Sequence, residues 1–266
     1  MENQAVAENI FATRLKTLEN PSQILTNPEY AEEIREKIIQ GEVFIAKQVC
    51  SPEWVQQVKT YLTRVGNSSL PNYKPIEMGC PNFHRMNRWD PRSYVKACFH
   101  QFVFFPWNQD MFNFFDVARE TYQIKNVLSH NPKDKFLGQT PEEDCVSRIA
   151  FQFYPKSVGG LNKHIDPVDH HQLCVPIMIM SKKGVDFETG GVYAETANGE
   201  KIYLDAEADP GDVVYFNARI PHGVEIIDEH KKEDWLSFEG RWMMLFAINK
   251  LSTNNAIANA LDLGNG

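Results

Sequence analysis

"DPGDVVYFNARIPHGVEII", residues 209–227, compresses a turn, a strand, a second turn and another short strand into nineteen positions. "PGD" is turn chemistry: proline presets φ and glycine supplies the left-handed conformation. "VVYF" is β-branched and aromatic, a run that suits a pleated, buried surface. Moving outward, the texture repeats in "VSRIAFQFY" (146–154), "QLCVPIMIM" (172–180), "GGVYAE" (190–195), "KIYLD" (201–205) and "RWMMLFAINK" (241–250). About seven short strands in roughly a hundred residues, separated by turn residues, imply a sandwich, barrel or jelly roll.

Upstream the pattern is helical. "NPEYAEEIREKIIQGE" (27–42) reads as a helix closed by Gly41, and "VFIAK" (43–47) as a short strand. "SPEWVQQVKTYLTRVG" (51–66) has Ser51 as N-cap, Pro52 at the first helical position and Gly66 as a stop. Residues 108–122 predict another helix with Met111, Phe115, Ala118 and Tyr122 on one face. Residues 67–97 read as an irregular loop. The expected organisation is one domain over 1–266: a mainly helical part with substrate loops (1–140), a β core (145–250) and a tail (251–266).

Composition excludes several function classes. A formal charge of −8 argues against phosphate-backbone binding, which needs basic surface. No apolar run approaches the length of a membrane span. The opening "MENQAVAENI" has neither a basic nor an apolar region of the kind a secretory signal carries. The five cysteines are scattered with no C-x-x-C pair, which disfavours a zinc ribbon or a disulfide framework and fits a reducing, cytoplasmic setting.

"NKHIDPVDHH" (162–171) holds three of the eight histidines and two aspartates. His164 and Asp166 are two apart, so on an extended strand both side chains reach the same face. Alone, such a pair fits a solvated loop as well as a metal site. A remote histidine, His222, after another strand would complete a two-histidine, one-carboxylate set. That set suits non-haem Fe(II) and leaves open positions on the metal.

On these residues the chain resembles the Fe(II)/2-oxoglutarate-dependent dioxygenase superfamily. The resemblance covers about 145–250 and is carried by "HID" (164–166), "ETGGVYAE" (188–195), "PGDVVYFNARIPHGVEI" (210–226) and "GRWMMLFAI" (240–248). "GEVFIAKQVCSPEWVQQVKTYL" (41–62) is similar to the start of the phytanoyl-CoA-hydroxylase-like and prolyl-hydroxylase-like branches. The resemblance implies a double-stranded β-helix, a cupin-like jelly roll buttressed by helices. It also implies Fe(II) held by His164, Asp166 and His222, with Asp169, His170 and His171 as bystanders. Members that bind halide lack the carboxylate, so Asp166 implies hydroxylation or a related oxidation and not halogenation, with O2 consumed and succinate and CO2 released.

The resemblance further implies that Arg241 pairs with the distal carboxylate of the cosubstrate, as a planar guanidinium can do bidentately. The insert "DEHKKEDWLSFE" (228–239) lengthens the spacing from His222, and Met243 stands where Ser or Thr is usual. A second hydrogen bond then has to come from elsewhere. Tyr154 and Gln152, with Arg148, share one face of strand 148–154 by period two. Arg148 is the rival for the carboxylate. His84, Arg85, Arg88 and Arg92 in the 72–100 segment would suit an anionic small-molecule substrate, and Phe83 and Trp89 an apolar one. "SKKGVDFETGG" (181–191) reads as a mobile loop beside the site. A metal-binding scaffold on the same fold, without redox turnover, is the alternative.

Overall fold

A computed structural model describes residues 10–166 and 172–264. The chain begins with β1 (Arg14–Thr17), a 3-10 turn (Pro21–Leu25), α1 (Pro28–Ile39), β2 (Glu42–Ala46), α2 (Pro52–Ser68), β3 (Phe83–Arg88), β4 (Ala97–Phe104) and α3 (Phe114–Leu128). It continues through β5 (Cys145–Pro155), β6 (Gly160–Ile165), β7 (Cys174–Ile179), β8 (Gly191–Glu195), β9 (Lys201–Tyr203) and α4 (Leu204–Glu207). β10 (Val213–Asn217), β11 (His222–Glu225), β12 (Gly240–Lys250) and β13 (Leu261–Gly264) close it.

The strands hydrogen-bond in the order β1-β2-β10-β7-β12-β5-β4-β6-β11-β8-β9, with β3 on β4 and β13 on β6. The run β10-β7-β12-β5 faces the run β6-β11-β8-β9, and β4 links them at one side. This is the jelly roll expected from the strand pattern. Alternation on the long strands divides the apolar residues into two layers. Ile177, Val214, Phe216 and Met243 point between the sheets with Val192 and Val224. Phe151, Phe153, Met178, Trp242 and Met244 point the other way, onto the helices.

α1 and α2 cover that outer face because their apolar stripes match it. Asn27 caps α1 by accepting from the Glu29 and Tyr30 amides, and Ser51 caps α2 by accepting from the Trp54 amide at 3.2 Å. Val55, Val58 and Leu62 are buried. Burying each such side chain is worth about 1.5–3 kcal/mol, enough to seat a helix whose polar face stays wet.

Four expectations need correction. Gly66 does not stop α2, which runs to Ser68; a Cβ there would lie 2.2 Å from the Phe238 ring, so glycine admits the 228–239 insert. Phe238 packs on Phe102, Phe153 and Trp242, making the insert a plug on the outer face. The third helix starts at Phe114, not 108, because the Asp110 carboxylate accepts from the Phe112 and Phe114 amides and holds a turn there. Met111 is consequently 77% exposed. The 67–97 segment contains β3, and the core sheet therefore extends upstream of 145 through β1 to β4. Finally, the tail carries β13, which pairs with β6 along the strand of His164.

Candidate metal centre and the cavity behind it

β6 and β11 bring the three sequence-predicted ligands together. His222 pairs in register with His164, and the Asp166 amide donates to the Ala218 carbonyl at 2.9 Å, which fixes the residue beyond the strand end. One ligand atom from each of His164, Asp166 and His222 lies within 4.8 Å of the others. His222 Nε2 is 3.5 Å from Asp166 Oδ2, and His164 Nε2 is 3.9 Å from Asp166 Oδ1.

Both imidazoles are oriented by the backbone. His164 Nδ1 lies 2.9 Å from the Asn162 carbonyl oxygen and His222 Nδ1 2.8 Å from that of Ile220. A carbonyl only accepts, so each Nδ1 carries the proton and each Nε2 presents a lone pair toward the carboxylate. Burial lowers the His164 pKa to about 4, and a proton on His222 would lower it further, which keeps the ring neutral as a ligand must be. Asp166 is lowered to about 2: burial opposes ionisation, but a proton on His222 Nε2 or His164 Nε2, in the place a metal would take, outweighs it. Asp169, His170 and His171 lie outside the described residues.

The three ligands line a cavity of about 510 Å³ that runs between the sheets. Arg148, Gln152 and Tyr154 all face it from β5. The Tyr154 hydroxyl donates to Gln152 Oε1 at 2.6 Å. Arg241 is fully buried at the inner end. Its Nε donates to Asp205 Oδ2 at 2.7 Å, and its guanidinium carbon sits 5.5 Å from the Tyr154 ring centroid. Asp205 also accepts from the Val192 amide at 2.7 Å. A Cβ on Gly191, whose φ is +115°, would fall 2.5 Å from that carboxylate, so the second glycine of "ETGG" makes room for the pair. Among the described residues, buried Arg241 Nη1 and Nη2 have no hydrogen-bond partner. Arg241 is not on the cavity wall; Tyr154 and Met243 are.

The substrate-segment residues divide. Arg85 and Phe83 line the cavity from β3. His84 points the other way and bonds His100 Nδ1 at 2.8 Å and Ser69 Oγ at 2.9 Å. Arg88 pairs with Glu233 at 3.1 Å and stays off the wall; Arg92 lines the cavity but pairs with Asp90 at 2.7 Å, and Trp89 does not reach the wall. The 181–191 loop contributes nothing to the wall either. The Asp228 carboxylate ties it down by accepting from the Glu188 and Thr189 amides at 2.8 Å. Residues 251–260 take its place at the mouth. Asp205, Lys125 and this C-terminal segment were missed in the sequence. Only the alternation in "LDLG" (261–264) hinted at a strand there.

No protein-family model matches the sequence, and no curated protein matches it. Solved structures do match. A prolyl-4-hydroxylase from Pseudomonas putida aligns with a TM-score of 0.50 at 10% identity, over 82% of this chain and 98% of that one. A full-length thymine 7-hydroxylase from Neurospora crassa, in complex with alpha-KG, aligns with a TM-score of 0.53 at 14% identity, over 93% and 88%. The non-heme alpha ketoglutarate dependent epimerase SnoN from nogalamycin biosynthesis aligns with a TM-score of 0.50 at 8% identity, over 84% of each. At these identities the likeness establishes the fold, which is that of the Fe(II)/2-oxoglutarate-dependent oxygenases. No helix among the described residues is long and apolar enough to cross a membrane.

Proposed function

We propose that the chain is an Fe(II)/2-oxoglutarate-dependent oxygenase that hydroxylates a small molecule: substrate C–H, O2 and 2-oxoglutarate give C–OH, succinate and CO2. The observation that carries this reading is the set of three convergent ligand atoms, with both histidine tautomers fixed by carbonyls. Two histidines and one carboxylate suit Fe(II) and leave sites for a chelating cosubstrate and O2. Bound there, the metal and 2-oxoglutarate supply the O2 activation that no side chain can.

The chain's own residues would do the rest. Arg241 fits the distal carboxylate of 2-oxoglutarate, since Asp205 takes Nε and leaves the Nη1–Nη2 edge without a partner among the described residues. The Tyr154 ring stands beside the guanidinium and its hydroxyl holds Gln152, and either hydroxyl or amide would supply the further hydrogen bond. Apolar walls from Phe216, Val224 and Leu245 keep water from the reacting carbon. Asp205 already neutralises Arg241, which is what a scaffold without turnover would display, so the cosubstrate is the point to test. Anaerobic addition of Fe(II) and 2-oxoglutarate should give a visible charge-transfer band. A colourless mixture, with iron bound, would favour the scaffold.

A further inference from the structure

The cavity carries a second basic site that the cosubstrate does not use. On the interior face of β5, Arg148 stands opposite Ala247, whereas Arg241 stands opposite Tyr154. Residues 148 and 154 are six positions apart on the strand, about 20 Å along the chain. A five-carbon dicarboxylate chelated to the metal cannot engage both arginines. Arg148 is therefore available to something else.

Its surroundings say what. No carboxylate among the described residues forms an ion pair with Arg148, and its Nε is sealed from solvent without a hydrogen-bond partner. Arg85 approaches from β3 with its Nε in the same condition; its Nη2 donates to Ser93 Oγ, and its guanidinium lies over the Tyr73 ring at 4.7 Å. Burial pushes Arg148 down to about 10, and the Arg85 charge works in the same direction. Among the described residues, the one acid on this wall, Asp166, lies against His164 and His222 and forms no ion pair with either guanidinium. Two guanidiniums with no ion-paired acid repel each other and lose solvation, so an anion between them relieves both penalties. Arg85, Gln101 and Gln152 follow one another across β3, β4 and β5 in register, a polar row that leads from this pair toward the interior. All of these groups line the same cavity as the iron ligands.

We infer that the substrate is a small organic anion whose carboxylate or phosphate is held by Arg148 and Arg85, with its apolar body directed at the metal. The inference rests on the proposed oxygenase reading only for what happens at the far end of the molecule; the anion site itself requires no turnover.

The test is a matched panel of small carboxylic acids, their primary amides and the corresponding phosphate monoesters. Binding is measured by ligand-observed NMR on the protein loaded anaerobically with Fe(II) and 2-oxoglutarate. Acids or phosphate esters should bind at least tenfold more tightly than the amides, and whichever does so identifies the oxyanion. Arg148→Gln should remove that preference, and Arg85→Gln should weaken it. The affinity for 2-oxoglutarate, followed separately through the charge-transfer band, is the control. A panel in which nothing binds, or in which acids, esters and amides bind alike, overturns the proposal. So does an Arg148→Gln variant that loses 2-oxoglutarate but keeps the preference. Loss of the band in the unmodified protein, with the preference intact, would instead sink the oxygenase reading alone.

Discussion

Arg241 and Arg148 occupy neighbouring strands and face the same interior, yet they are solved differently. Arg241 has a buried acid within 2.7 Å and a tyrosine ring beside it. Arg148 has no acid partner among the described residues and opens onto the cavity wall. An internal partner makes a charge part of the fold, whereas a charge without one is stabilised only by what enters. The inner end of the barrel is thus built to be rigid, and the outer end to be completed by a ligand.

The largest expected effect lies between the two. Replacing His164, Asp166 or His222 by Ala should abolish iron-dependent 2-oxoglutarate turnover while circular dichroism stays unchanged, because the ligands line a mouth. Loss of activity in His170→Ala or His171→Ala with His222→Ala active would redraw the triad.

Arg241 comes next. Truncating one partner of a desolvated charge pair costs about 2–5 kcal/mol, so Arg241→Ala should weaken 2-oxoglutarate binding by roughly thirtyfold or more. Iron affinity should hardly change, and Arg241→Lys should recover only part of the loss, since an ammonium lacks the fork. Asp205→Ala leaves the guanidinium buried alone and should cost about 3–5 kcal/mol in urea unfolding. If Arg148→Ala shows the selective cosubstrate defect and Arg241→Ala does not, the two ends exchange roles.

Why one end was legible in the sequence and the other was not follows from the same contrast. The triad and Arg241 sit at strand ends within motifs whose turn residues mark their place. The 228–239 insert did not displace Arg241, because the plug folds outward through Phe238 against Gly66 and returns the chain to the start of β12. β3 was hidden because two of its three inward residues, Arg85 and Asn87, are polar and line the cavity, leaving Phe83 too little to make an apolar alternation. Asp205 gave no sign of burial, since an aspartate among turn residues reads as solvated. Long-range pairing is what periodicity cannot report.

Lys125 provides a smaller test near the outer end. It is buried on α3, donates to Gln172 Oε1 at 2.8 Å, and burial lowers its pKa from 10.5 to about 8. Between those values the unfolded chain holds a proton that the folded chain has released. The Lys125 contribution to stability therefore improves as pH rises from about 8 to 10.5, by about 3 kcal/mol in all. Below that window the penalty is in full force. The stability difference between the unmodified protein and Lys125→Met, taken from urea unfolding at several pH values, should shift in favour of the unmodified protein across this window. A difference that stays flat would mean Lys125 is charged and solvated.

The smallest effect is the sharpest discriminator of the two ends. Arg148→Met keeps much of the side-chain stem's packing and deletes a guanidinium that has no acid partner among the described residues. Without a bound anion, the substitution should leave unfolding stability unchanged or raise it by about 1 kcal/mol, because it removes an uncompensated buried charge. Arg241→Met, which strands Asp205 beside the Val192 amide, should lower stability in the same measurement. The sign of the difference carries the argument, since both variants lose the same charge to the same side chain. Adding the tightest-binding anion should then stabilise the unmodified protein by mass action and leave Arg148→Met behind. If Arg148→Met is destabilised as far as Arg241→Met, Arg148 belongs to the fold after all, and the distinction between the two arginines disappears.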